Sequence, residues 1–285
     1  MDEWHKAALG AAVVAALLWG LPLLGRRRAG LLTGLPTVTG PALLVIGLQA
    51  GPEALGDAAV GSVAACAPCA LFALVQARAG RSVGVAAALG LATLATLLLL
   101  PLLWPLEDRL GAALFGAGAA FVMCRRAMPR PSIAAAPRRP AWGTLLTVAA
   151  VGVVTAAVAW SAPQLGAFWA GVLASPPLLA AIVASQQQRC AGCGAAQAFL
   201  IGYLDGLPGR AAFAASLALL AESLALPLAF GIALVAGLLP MAALRVGSYF
   251  KASARNSRAC SQSRRTVRSV TPRASPISRS VSPPK

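Results

Sequence analysis

Residues 26–50 read RRRAGLLTGLPTVTGPALLVIGLQA. Three arginines open the run, and no further charge follows in it. About 20 apolar residues in a helix cross the ~30 Å hydrocarbon core of a bilayer. Gly34, Pro36, Gly40 and Pro41 interrupt this run near its middle. Each proline lacks an N–H and frees a carbonyl about one turn back. Lipid cannot satisfy such a group, so the break is expected to face protein or a wet cavity. The stretch predicts a membrane-crossing helix with a built-in interruption, and the fold class follows from how often such runs recur.

The chain has 285 residues, of which 58% are hydrophobic and 11% charged, and its mean hydropathy is +0.75. Soluble domains carry roughly 25% charged residues, so an ordinary soluble domain is excluded. The formal charge of +16 is unevenly placed. Residues 246–285 hold nine Lys/Arg and no acid, while the rest holds fifteen basic against eight acidic residues. That body does not carry a nucleic-acid-binding charge.

Nine apolar runs of suitable length lie at 7–24, 30–50, 58–75, 83–104, 110–124, 142–162, 165–184, 195–220 and 224–244. The expected fold is an all-α, polytopic transmembrane helix bundle of about nine spans. Residues 1–245 form its transmembrane domain, with one half at 7–104, a linker helix at 110–124 and a second half at 142–244. The first run follows Asp2 and Glu3 and precedes Arg26, Arg27 and Arg28. It therefore reads as a retained helix and not as a cleaved leader. Cytoplasmic loops collect Lys and Arg. With the N-terminus outside, twelve loop arginines fall inside and only Lys6 and Arg109 outside, while seven acids fall outside. The expected threading is N-terminus out and C-terminus in.

The first four spans resemble the last four in length and order. At an offset of 136, Pro41, Leu43 and Ile46 meet Pro177, Leu179 and Ile182; at 141, Gly61, Phe72 and Ser82 meet Gly202, Phe213 and Ser223. Five helices separate the two starts, so the halves would lie upside down to each other. An inverted repeat of four helices is a common plan of secondary transporters, which place their site at paired broken helices. The second broken run, residues 171–177, reads GVLASPP. Candidate substrate-binding residues are therefore Pro36, Thr37, Thr39, Gly40 and Pro41 in one half, and Ser175, Pro176 and Pro177 in the other. Two readings stand side by side: a substrate site, or kinks that shape packing, with hydroxyls bonded back to their own helices.

Asp205 and Arg210 fall within the eighth run, and charges at bilayer depth mark pathways or pairs. Five residues apart, they sit roughly 140° apart around an unbroken helix. They form a candidate intramembrane pair only if Pro208 and Gly209 turn the chain. The other reading is a bent hairpin with both in an interfacial loop.

Six cysteines include Cys66-Ala-Pro-Cys69 and Cys190-Ala-Gly-Cys193. Cys66 and Cys69 admit a redox reading, although mid-span surroundings oppose the thiolate that exchange needs. They read more simply as small packing residues, like Cys124. The two pairs lie about half of a ~30 Å core apart, too far for one zinc ion, and the single histidine, His5, is at the N-terminus. No metal site, cofactor or catalytic residue is expected.

Residues 246–285 are rich in Ser, Arg and Pro and are expected to be disordered. The functional reading is a basic segment on anionic lipid, at about 1 kcal/mol per basic residue near the surface. No aromatic residue follows Phe250, so no nucleic-acid partner is expected. The abrupt change of composition also fits a shifted reading frame after the last helix.

Residues 171–184, GVLASPPLLAAIVA, look like the corresponding run in small GlpM-type bacterial inner-membrane proteins, and residues 34–46 are similar in character. The chain resembles uncharacterised multi-span bacterial membrane proteins that duplicate this unit, over spans two, three, seven and eight. Ala184-Ser185-Gln186 stands where that unit would carry a histidine. The resemblance implies a polytopic protein of the bacterial inner membrane and little about activity. The expectation is a small permease without enzymatic activity and of unknown substrate. The alternatives are a membrane accessory or assembly subunit and a membrane thiol–disulfide exchanger.

Overall fold

The computed structural model describes residues 25–37, 39–107, 109–131, 164–240 and 242–243, and these are all-helical. The runs expected at 7–24 and 142–162 and the tail at 246–285 lie outside them, so the count of nine concerns partly undescribed chain. Helix α1 spans Arg26–Gly34 and α2 Thr39–Ala64, bent at Gly51. Helix α3 spans Cys66–Ala79. Helix α4, Val85–Leu99, continues into a 3-10 segment, Leu100–Leu106. Helix α5 spans Leu110–Ala127, α6 Ala167–Leu173, α7 Leu178–Ala191, α8 Cys193–Leu220 and α9 Leu226–Pro240.

Four helical stretches among the described residues are long and apolar enough to cross a membrane: Arg26–Ala79, Val85–Leu106, Leu110–Ala127 and Ala167–Ala191. In three of the helices the side chains are sorted the opposite way from a soluble bundle. In α4, Ala88 and Ala92 are buried while Leu94, Leu97 and Leu98 are exposed. In α9 the buried pair is Ala229 and Ala233, and Leu234, Val235, Leu238 and Leu239 are exposed. In α5, Ala113 and Ala117 face inward and Phe115 and Met123 outward. The buried pairs are spaced four apart and lie on one face. Small residues at helix contacts with large apolar ones outside are what lipid selects, since hydrocarbon gives no reason to hide leucine. The outward-facing apolar side chains and the helix lengths both suit a membrane.

The segment from residue 25 to 99 is repeated by the segment from 166 to 240 in a single register of 141. Ala29 donates its N–H to Gly25 at 2.9 Å, and Ala170 to Gly166 at 3.0 Å. Thr37 donates to Leu35 at 2.7 Å and Leu178 to Pro176 at 2.8 Å; Gly40 donates to Pro36 at 2.8 Å and Ala181 to Pro177 at 2.7 Å. The kink at Gly51 (φ 89°, ψ −178°) has its equivalent at Gly192 (φ 79°, ψ 174°). That conformation is open to glycine and strained for other residues.

This corrects one sequence pairing. Pro177 corresponds to Pro36, not Pro41, and no insertion separates the two offsets. Pro41 is the third residue of α2, where the helix needs no N–H; it does not break the chain. Only the proline that ends one helix and starts the next carries the repeat.

The two segments also pack reciprocally. A Cβ on Gly30 would fall on the carbonyl oxygen of Phe199, and one on Gly171 on that of Ala58. Gly61 lies against Phe168 and Gly202 against Arg27 in the same way. Each contact is the 141-shifted partner of another.

Candidate functional site

The second break lies against a buried polar cluster. Helix α6 ends at Leu173 and α7 starts at Leu178, so the last carbonyls of α6 lose their helical donors. The Ser175 carbonyl is taken by Arg210 Nη2 at 3.0 Å and by the Cys69 thiol at 3.3 Å. The Ser175 hydroxyl donates to Gly171 O at 2.8 Å and meets the Ser62 hydroxyl at 3.2 Å. The Cys66 thiol donates to Ser62 O at 3.5 Å. Arg210 Nη1 lies 4.0 Å from Cys69 Sγ. Ser62, Cys66, Cys69, Ser175 and Arg210 are all buried. Tyr203, 1% exposed, lies beside Cys69 and Arg210, and its hydroxyl has no hydrogen-bond partner.

Cys69 and Arg210 occupy equivalent positions of the two segments, and so do Ser62 and Tyr203. Arg210 and Cys69 touch across the two segments, so this cluster lies between them.

The first break is plainer. Pro36 accepts from Gly40, the Thr37 hydroxyl makes only a long bond to Leu35 O at 3.5 Å, and Gly34 stands where the second half has Ser175. The Thr39 hydroxyl is buried without a partner. In the second break Pro176 is exposed and Pro177 buried.

Asp205 and Arg210 are not paired with each other. They lie on one continuous helix, α8, so the hairpin reading is replaced: Pro208 is accommodated within the helix and does not turn it back. Asp205 instead accepts from Arg27 Nη2 at 2.8 Å and Arg125 Nε at 2.7 Å. It ties α1, α5 and α8 at one end of the bundle. Near that end Arg78 bonds Ala127 O at 3.0 Å and Arg81 bonds Arg130 O at 2.9 Å. The start of α6 stands elsewhere, with Trp169 5.9 Å from Trp104.

Sequence reasoning missed Ser62, Tyr203, Arg27 and Arg125 as partners. The register of 141 already held the signal for the first two, because it pairs Ser62 with Tyr203 and Cys69 with Arg210.

Cys66, Cys69, Cys124, Cys190 and Cys193 carry free thiols. No group of three or more potential metal ligands exists among the described residues. Cys66 and Cys69 are buried and already donate to carbonyls, whereas Cys190 and Cys193 are half-buried. In native membranes, maleimide should label Cys190 and Cys193 first and Cys66 and Cys69 last. Mass spectrometry of timed samples checks this, and equal rates would contradict the packing described.

The chain matches no family model, no curated protein and no solved structure.

Proposed function

We propose that this chain is a small secondary permease of the bacterial inner membrane, built as an inverted repeat of a GlpM-type unit and working by alternating access. One observation carries the reading. Two helices 141 residues apart are interrupted by a proline with the same turn, and the second interruption lies against a buried polar cluster at the junction of the halves. Broken helices at a repeat interface are where such transporters hold their cargo.

Inversion is supported by what flanks the equivalent helices. Helix α1 begins with Arg26, Arg27 and Arg28, and α6 with Ala167, Phe168 and Trp169. Arginine suits a cytoplasmic edge and tryptophan an interface. With the arginine end read as cytoplasmic, a chain of nine spans has its N-terminus outside and its C-terminus inside. The tail then lies where anionic lipid would meet it. The connections among α3, α4 and α5 are too short to house a soluble catalytic domain, which supports a non-enzymatic role.

A second reading, an accessory subunit without a transport cycle, is favoured by the four glycine-to-carbonyl contacts, which pack the halves closely. A thiol–disulfide exchanger is the weakest reading, since its thiols are engaged and buried.

The test is labelling of Thr37→Cys and Ser175→Cys, made in a chain without native cysteines. An impermeant thiol reagent is applied to right-side-out and inverted vesicles. A permease gives labelling of both positions from both sides, and labelling from neither side favours the accessory subunit.

A further inference from the structure

We propose that the cluster around Arg210 binds a small carboxylate or planar oxyanion, held by the Arg210 guanidinium and the Tyr203 hydroxyl. As the cargo of a transport cycle this rests on the permease reading; as a binding site it does not.

Arg210 is 4% exposed, and an unpaired cation at bilayer depth costs several kcal/mol. Among the described residues no carboxylate lies within ion-pair distance of it. The nearest acid along the helix, Asp205, is taken by Arg27 and Arg125. Two arginines already outweigh that single acid, so nothing is left over to balance Arg210. The Ser175 carbonyl and the Cys69 sulfur solvate the guanidinium but do not neutralise it.

Hydrogen bonding points the same way. A guanidinium offers five N–H donors and no acceptor. Nη2 and Nη1 have the contacts above, and Nε, on the adjoining edge, is buried with no partner. Tyr203 adds a buried hydroxyl near it, with only the weakly accepting Cys69 thiol at hand. Both vacant groups can donate, and an anion accepts from both. Helix α7, of 14 residues, starts three residues beyond Ser175, so the positive end of its dipole lies at the same break. The planar fork of arginine matches two coplanar oxygens and not a single spherical ion. That favours formate, nitrate or a larger carboxylate over chloride.

The protein, purified in detergent, is melted in graded sodium formate, acetate and nitrate, with sodium chloride holding the ionic strength constant. At least one of the three should raise the melting temperature saturably over chloride. In Arg210→Gln the apparent Kd should rise about tenfold or more, the loss of a charge-assisted hydrogen bond. Tyr203→Phe removes only an unpartnered hydroxyl and should leave the fold intact. It should weaken the same anion about threefold, and it decides the matter if Arg210→Gln does not fold. No saturable shift with any of the three, or an unchanged Kd in the variant that folds, overturns the proposal.

Uptake of the same radiolabelled anion into proteoliposomes separates this proposal from the permease reading. Binding without uptake leaves the anion site standing and removes the transport cycle. Uptake of a neutral or cationic solute that Arg210→Gln leaves unchanged, with no anion binding, removes the site and keeps the permease.

Discussion

Gly171→Ala is expected to destabilise the protein by about 1–3 kcal/mol or more, the usual cost of overpacking a close-packed interior. The added methyl would fall on the carbonyl oxygen of Ala58, with the Ala58 carbonyl carbon only 2.6 Å away. A backbone carbonyl inside α2 cannot rotate aside without breaking its own helix, so α6 and α2 must separate. Gly30→Ala should do the same between α1 and α8, because Phe199 stands to Gly30 as Ala58 stands to Gly171. Gly90→Ala and Gly118→Ala are the controls. Nothing lies within 4 Å of a Cβ at either position, and alanine gains roughly 0.5–1 kcal/mol over glycine in a helix. Melting in detergent should therefore rank both control variants at or above the wild type and both contact variants below it. Equal melting temperatures in all four would mean that the halves do not approach at these glycines.

Asp205→Asn is expected to cost about 1.5–3 kcal/mol, the range of a hydrogen bond to a charged group. Asparagine keeps the shape and loses the charge, leaving two arginines facing each other across an uncharged amide. The full penalty of a buried ion pair does not apply, because the partners reach solvent: the side chains are 59% exposed in Arg27 and 38% in Arg125, against 8% in Asp205. The single variants should therefore rank Asp205→Asn above Arg125→Gln, and that above Arg27→Gln. A double-mutant cycle in the same melting assay gives the coupling of each pair. A cycle that assigns no coupling to either arginine would show that Asp205 does not hold α1, α5 and α8 together.

Much of the architecture was legible in advance, and the reasons are local. Proline removes a helical donor wherever it stands, so Pro36 and Pro177 marked their breaks without any knowledge of neighbours. The equivalence of Gly61 with Gly202 and of Phe72 with Phe213 already contained the register that the backbone follows. What misled was letter matching: Pro41 resembles Pro177 in a string, but it sits in the first turn of a helix, where proline is harmless. The two readings of Asp205 and Arg210, a pair or an interfacial hairpin, both failed for a related reason. They considered one helix alone, whereas each charge is answered by other elements.

The apolar, helical character of the chain and the two interruptions were legible in the amino-acid sequence alone, because hydropathy and missing N–H groups act at the position where they occur. The partners of the buried charges were decided only by tertiary structure. Arg27 and Arg125 reach Asp205 across 178 and 80 residues of chain, and Arg210 meets Cys69 across 141. Which faces of which helices meet depends on how two glycine-notched halves fit together, and no single segment carries that information.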